Sequence, residues 1–225
     1  MQLSKETLDI MKLMSMLNQS IIIKEGSVLR TMNEDANVVL EYHSEDVFEQ
    51  EVRIFNMQEF LSIVNVFDKP ELELFDNYCF IKQGRQKVKF IYADAALLNK
   101  PTRGVKLPSE DVVMNLSSEQ ITRIVKMSAI LSANVVSFVS KGGKVKIIVE
   151  DKAAIDERRE PNSYEIELED EVGVDFTADF TIEKLRLALG HSYTVTFSNK
   201  LISKWKADDM EFSAFITMEL SSSFK

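Results

Sequence analysis

Residues 112–150, VVMNLSSEQITRIVKMSAILSANVVSFVSKGGKVKIIVE, decide how the rest of the chain is read. The stretch opens with a short extended lead, VVMNL. The serines at 117 and 118, followed by Glu119 and Gln120, supply side-chain oxygen to the free amides of a first helical turn. In the run that follows, Ile121, Ile124, Val125 and Leu131 recur at helical spacing around small Ser128. Glu119, Thr122, Arg123 and Lys126 fall on the opposite face. Two strands, VVSFVS and KVKIIVE, flank Gly142-Gly143, a pair that accepts the positive φ of a tight hairpin turn. The spacing therefore predicts a lead strand, a helix and a hairpin, completed by a late third strand, SYEIELED, beyond a charged insert at 152–162.

The same unit can be traced three more times. Met1-Gln2-Leu3 leads into a helix capped by Ser4, with Glu6 in its first turn, and strands SIIIK, VLRTM and NVVLEYH follow. Leu8, Met11, Leu13, Met14 and Leu17 are the apolar face of that helix, and Lys5, Asp9 and Lys12 the polar one. EVRIF leads into a helix capped by Asn56, with Phe60, Ile63, Val64 and Phe67 inward and Pro70 at its end. Strands ELELF, YCFIKQ and KVKFIY complete that unit. VDFTADF leads into a helix capped by Thr181, running through Leu189 to Gly190. Strands YTVTFS, LISKWKA and EFSAFITMEL close the chain. Leu3, Phe55, Leu116 and Phe180 each stand just before a cap. Such internal repetition is the primary fold signal. The fold class is α+β, with two similar domains, 1–93 and 111–225, each of two strand-helix-three-strand repeats. Residues 94–110, with two prolines and no regular period, form the connector.

Composition narrows the function. The 225 residues are 45% hydrophobic, enough for a sizeable core, and carry a net charge of −9, which argues against an even coat of nucleic-acid-binding charge. Cys79 is the single cysteine. It can form no internal disulfide, and a reducing compartment is expected. The charged N-terminus has no signal core, and no run approaches the ~20 apolar residues of a membrane helix. His43 and His191 have no Cys or His at ligand spacing, so no zinc site is expected, and no cofactor or catalytic signature appears. Cys79, between Tyr78 and Phe80, reads as a buried structural thiol. Gly142-Gly143 joins two strands, where a phosphate loop would need a following helix. Glu165, Glu167, Glu169, Asp170 and Glu171 alternate along a strand, a simpler account than a metal-dependent nuclease. Trp205, between Lys204 and Lys206, is expected to pack on a helix from a central strand rather than to stack on a single-stranded base.

Four such repeats joined by a surface connector resemble the DNA sliding-clamp fold, in which sheets lie outside and helices line a ring. MQLSKETLDIMKLM, IIIKEG, YADAALLNKP and KWKADDMEFSAFITMEL make the chain similar to the clamps of T4-like bacteriophages over essentially its whole length. The resemblance implies a non-enzymatic homotrimer that encircles double-stranded DNA in the cytoplasm of an infected bacterial host. It also implies that an ATP-driven clamp loader opens the ring, which tethers the replicative DNA polymerase and activates late transcription through late-transcription factors. Arithmetic favours three copies: with about 10 Å of circumference per helix, three chains leave a bore of roughly 28 Å, two about 15 Å and four about 41 Å. A duplex about 20 Å across fits the first.

On that reading Lys5, Lys12, Arg123, Lys126, Lys184 and Arg186 face DNA, whereas the second helix offers no cation. Strands 87–92 and 163–170 are expected sheet edges that pair between subunits, with Lys87 and Lys89 apposed to Glu165 and Glu167, and Ile91 and Ile166 adding apolar contact. Leu97, Leu98, Val105, Leu107 and Phe224 are the apolar residues implied for a partner-peptide groove. The alternative is a phage structural or single-stranded DNA-binding protein that shares the repeated α+β plan.

Overall fold

The computed structural model describes residues 1–98, 104–152, 162–185 and 190–225. The chain divides into two units, Met1–Gly104 and Val105–Lys225.

In the first unit α1 spans Lys5–Leu17. The Ser4 hydroxyl accepts the Thr7 amide at 3.1 Å, satisfying a donor that the helix cannot. The helix buries Thr7, Ile10, Met11, Met14 and Ser15 and exposes Lys5, Asp9 and Lys12. Leu8, Leu13 and Leu17, expected on the inner face, are half-buried at its margins. β1 (Ile21–Ile23), β2 (Gly26–Met32), β3 (Val38–Phe48) and β4 (Val52–Ile54) precede α2 (Met57–Val66), which Asn56 caps. α2 buries Met57, Phe60, Leu61 and Val64, a stripe of the expected width but turned so that Met57 and Leu61 take the inner places expected of Ile63 and Phe67, which are half-buried. β5 (Glu71–Leu74), β6 (Tyr78–Gln83) and β7 (Gln86–Ile91) form an antiparallel three-stranded sheet, followed by a 3-10 turn at Ala95–Leu97. Phe90 of β7 meets Phe60 of α2 edge to face at 5.2 Å, which fixes that helix to the sheet.

Strand pairing departs from a simple reading of each repeat as a closed unit. β1 pairs with β4, Ile21 opposite Ile54, so the lead of the second repeat joins the first strand of the first. Reciprocally, Met1 bonds β5: its nitrogen donates to the Leu72 carbonyl at 2.8 Å, and the Leu72 amide donates to the Met1 carbonyl at 2.7 Å. The physical reason is the intervening helix. Thirteen residues of helix carry the chain about 20 Å from its lead, so the next strand starts in a different sheet.

The second unit repeats this exchange. β8 (Val112–Leu116) leads into α3 (Ser118–Leu131), then β9 (Val135–Lys141), β10 (Lys144–Glu150) and β11 (Ser163–Glu171). β12 (Phe176–Thr181) leads into α4 (Ile182–Leu185), then β13 (Tyr193–Ser198), β14 (Ile202–Ala207), β15 (Phe212–Thr217) and β16 (Ser223–Phe224). β8 pairs with β13, and β12 with β9. One sheet runs β11-β10-β9-β12-β16, and β8, β13, β14 and β15 pair successively in another. Gly142 and Gly143, at φ 61° and 86°, turn β9 into β10. Thr181 closes β12 rather than standing outside it as a cap, and the rest of the expected fourth helix, 186–189, lies outside the described residues, as do 153–161 of the insert. β16 is a strand the sequence pattern did not predict: two residues, SF, are too short to alternate.

Trp205 is buried on its central strand, among rings of the facing sheet and of neighbouring β13. Its ring meets Phe138, Phe180 and Tyr193 at 5.8–6.3 Å between centroids. Its Nε1 donates to Ser203 at 2.9 Å, and that hydroxyl donates to the Ile216 carbonyl at 2.8 Å. A buried indole needs one acceptor, and Ser203 two residues away supplies it.

α3 carries a full capping box. The Ser117 hydroxyl accepts the Gln120 amide at 3.2 Å, and the Gln120 side chain accepts the Ser117 amide at 2.8 Å. Ser117→Ala is therefore expected to cost about 1 kcal/mol. Urea unfolding at fixed protein concentration checks this, and an unchanged midpoint would show that the box contributes nothing.

Candidate functional site

Each unit presents a helix surface built the same way: apolar residues at 3.6-residue spacing are drawn inward, and charges at the intervening positions are left in solvent. On α1 the exposed cations are Lys5 and Lys12, with Asp9 between them. α2 shows Gln58, Glu59, Ser62 and Asn65 outward and no cation. Between the two helices lies an open groove of about 510 Å³, into which Lys12, Asp9, Gln58 and Asn65 project beside Leu8 and Met16. One ammonium faced by one carboxylate leaves it with no strong preference for a charged ligand.

α3 exposes Glu119, Arg123 and Lys126, and buries Ile121, Ile124 and Ser128. Val125 and Leu131 are only half-buried, and Ile130 is 73% exposed. The Arg123 guanidinium donates to Glu119 one turn earlier at 2.6 Å; both side chains are open to water, so the pair orients Arg123 and stabilises little. Lys184 lies elsewhere than expected. Its side chain is 12% exposed, and its ammonium donates to the Thr217 carbonyl at 3.1 Å and to Glu219 at 2.8 Å. Its charge is spent inside the unit, on the chain leaving β15. Arg186 lies outside the described residues. Lys5 and Lys12 in the first unit, and Arg123 and Lys126 in the second, remain as outward helical cations.

The two strands expected at sheet edges are both edges. β7 borders the β5-β6-β7 sheet, and β11 borders the five-stranded sheet of the second unit. Lys87 and Lys89 share one face of β7, their ammoniums 4.5 Å above the Phe80 ring and 4.0 Å above the Tyr78 ring. Ile91, 64% exposed, follows on that same face by strand alternation. Glu165 and Glu167 share one face of β11, and Ile166 points to the other. Joining the two edges with charges apposed would thus place Ile91 and Ile166 on opposite faces of the combined sheet. Val88, not Ile91, is the residue of β7 that would meet Ile166. Sequence reasoning also missed Lys146 of β10, whose ammonium lies 3.6 Å from Glu165 and 3.3 Å from Glu167. The signal was present in the alternation of KVKIIVE, which puts Lys144 and Lys146 on one face.

The expected peptide-groove residues divide by role. In the first unit Leu98 is 6% exposed, whereas Leu97 is 70% exposed. A residue so deeply covered offers a partner no surface, which removes Leu98 from that set. In the second unit Val105 and Leu107 are half-buried, and Phe224 stacks on Phe176 at 5.6 Å.

Two buried groups complete the chemistry. The Cys79 thiol is fully buried, and burial pushes it up to about 11, far from the thiolate a nucleophile needs. Asp179 on β12, 1% exposed, accepts hydrogen bonds from Ser137 at 2.6 Å, from Ser221, and from the Lys152 ammonium. Its main chain also binds the C-terminal segment: its amide donates to Ser222 at 2.9 Å, and its carbonyl accepts from Glu219 at 2.8 Å. The cluster is a structural hub: burial pushes the carboxyl up, and Lys152, Ser137 and Ser221 together more than offset it and hold the carboxyl below its usual range. His43 faces Glu41 and His191 faces Asp209, each at 3.0 Å. Among the described residues no group of His, Cys, Asp or Glu is arranged to hold a metal ion, and no helix is long and apolar enough to cross a membrane.

No protein-family model matches the chain. It is 26% identical over 224 residues to the sliding clamp of Vibrio phage KVP40, covering 97% of this chain and 99% of that protein. It is 25% identical over 149 residues to the sliding clamp of Escherichia phage RB69, covering 65% of each. Among solved structures, A. fulgidus PCNA with the C-terminal region of FEN-1 bound superposes with a TM-score of 0.73 at 13% identity, over 99% of this chain and 98% of that one.

Proposed function

The chain resembles the sliding clamps of T4-like phages and has the DNA-clamp fold, and from that premise we propose that it is itself a sliding clamp. Three copies close head to tail into a ring around duplex DNA and hold the replicative DNA polymerase to its template. The same ring, opened by an ATP-driven loader, acts as a mobile activator of late transcription. The observation that carries this reading is the end-to-end likeness to a phage clamp, from the first helix to the last strands.

The chemistry of the helix faces supports it. A clamp stays on DNA by topology, so its contacts have to be weak and indifferent to sequence. Exposed Lys5, Lys12, Arg123 and Lys126 provide long-range attraction to phosphates, which salt weakens and which no base sequence alters. The outward face of α2, which carries Glu59 and no cation, adds no anchoring positive charge. A heterologous contact, repeated until it closes, accounts for a ring. The edges β7 and β11 carry opposite charge and are suited to that contact.

The test combines mass in solution with retention on DNA. A trimeric mass, and retention on nicked circular DNA that is lost when the circle is linearised, are expected. A monomer, or a protein that stays on linear DNA, would instead favour the structural or single-strand-binding alternative. At the contact, Lys87→Glu with Lys89→Glu replaces attraction by repulsion and forfeits two cation–π seats. The concentration at which trimers dissociate is expected to rise about tenfold or more, since each exposed pair contributes ~0.2–1 kcal/mol before repulsion is added. Sedimentation velocity checks this, and a variant as trimeric as the parent would remove the electrostatic part of the contact.

A further inference from the structure

We propose that Lys146 is an intramolecular competitor for the subunit contact, which occupies Glu165 and Glu167 until a second copy of this chain displaces it, and so keeps the ring easy to open. The inference rests on the ring reading above and adds a regulator to it.

The geometry is specific. Lys146 and Glu167 are direct cross-strand partners in the antiparallel pairing of β10 with β11, and Glu165 is the diagonal neighbour. All three side chains project from one face, with the ammonium 3.3 Å from one carboxylate and 3.6 Å from the other. That single cation bridges the two carboxylates that Lys87 and Lys89 of an incoming edge would meet. The bridge is open to solvent, at 44% exposure for Lys146, so an incoming lysine can exchange with it without breaking the fold. The two glutamates hold the Lys146 ammonium protonated beyond the usual lysine range, Glu167 first. Its charge therefore persists at any pH at which the protein would work.

The other edge is also satisfied before association, because Lys87 and Lys89 rest on Phe80 and Tyr78. Joining the edges thus exchanges ionic contacts and adds few. Net association falls to main-chain pairing and to the apolar residues on the reverse face, Val88 with Ile166 and Leu168. A contact of that kind holds a ring together yet yields when a loader pulls on it.

The experiment is sedimentation velocity of the full chain over a concentration series, for the parent, Lys146→Gln and Lys206→Gln. Lys206 is the matched control: it is an exposed lysine of the same unit, 3.8 Å from its own partner Glu211, and not on β10 or β11. Lys146→Gln is expected to lower the concentration at which trimers dissociate by about three- to tenfold, within the range two exposed pairs allow. The gain should vanish at about 1 M salt, where screening reaches ~3 Å. Lys206→Gln is expected to leave the value unchanged. If the parent trimerises and Lys146→Gln is unchanged or weaker, the competitor role is overturned while the ring stands. Equal tightening by both variants also overturns it, since net charge would then be the cause. A parent that stays monomeric overturns the ring and this inference together.

Discussion

Replacing Lys12, Arg123 and Lys126 together by glutamate is expected to abolish loader-dependent processive synthesis while leaving the trimer intact. The three residues are exposed on α1 and α3, and none lies on either sheet edge. In a ring of three the variant removes on the order of nine phosphate contacts and puts carboxylates in their place. Contacts of that number account for on the order of a thousandfold of salt-sensitive attraction to DNA. Processivity on a primed circular template, with polymerase and loader present, is the measurement, and sedimentation confirms the trimer. Full processivity in an intact trimer would mean that these helix faces do not meet DNA. The matched neutral variant, with glutamine at all three positions, is expected to lie between, with a weaker dependence on salt.

Asp179→Ala is the change expected to cost most stability, about 3–5 kcal/mol, the usual result of breaking a buried ion pair from one side. It removes the acceptor of Ser137, Ser221 and Lys152 in one step. Asp179→Asn should cost less, because the amide oxygen still accepts from a serine and the Lys152 side chain, 33% exposed, can return to water. The Asp179 carboxyl titrates below its usual value of 3.8 in the folded chain. A depressed carboxyl contributes stability that is complete above the unfolded value and is lost as pH falls through the folded one. The parent should therefore lose stability below about pH 4, and the alanine variant should show less of that loss. Denaturant unfolding across the acid range, at one protein concentration, checks both. An alanine variant within 1 kcal/mol of the parent at neutral pH would show the hub to be dispensable.

Much of this fold was legible because it is local. Caps at Ser4, Asn56 and Ser117, the Gly142-Gly143 turn and the alternation in KVKIIVE each act within a few residues, and each element formed where its signal stood. Partner choice between strands is not local. Nothing in SIIIK says that Ile21 will oppose Ile54, because alternation specifies which face is buried and not which neighbour lies alongside. The helix faces were legible for the same reason as the caps, since Lys12 and Arg123 sit opposite the apolar stripe. Lys184 misled because its position relative to the stripe says nothing about Glu219, thirty-five residues away, which captures it. Lys146 and Asp179 were missed for the converse reason: alternation gives the face on which Lys146 stands, but the partners that give either residue its role are brought by the sheet.

The reciprocal exchange of lead strands has a consequence for synthesis. Met1 completes its bonds only with Leu72, and β1 only with β4, so the first-made repeat cannot finish alone as it leaves the ribosome. Its helix and hairpin can form early, but its sheets stay open until residues beyond 70 emerge. Closure then joins ends of high sequence separation, which slows folding and makes it all-or-none for the repeat pair. A chain cut after a single repeat should emerge as an aggregation-prone fragment, and the smallest autonomous product of translation should be a pair.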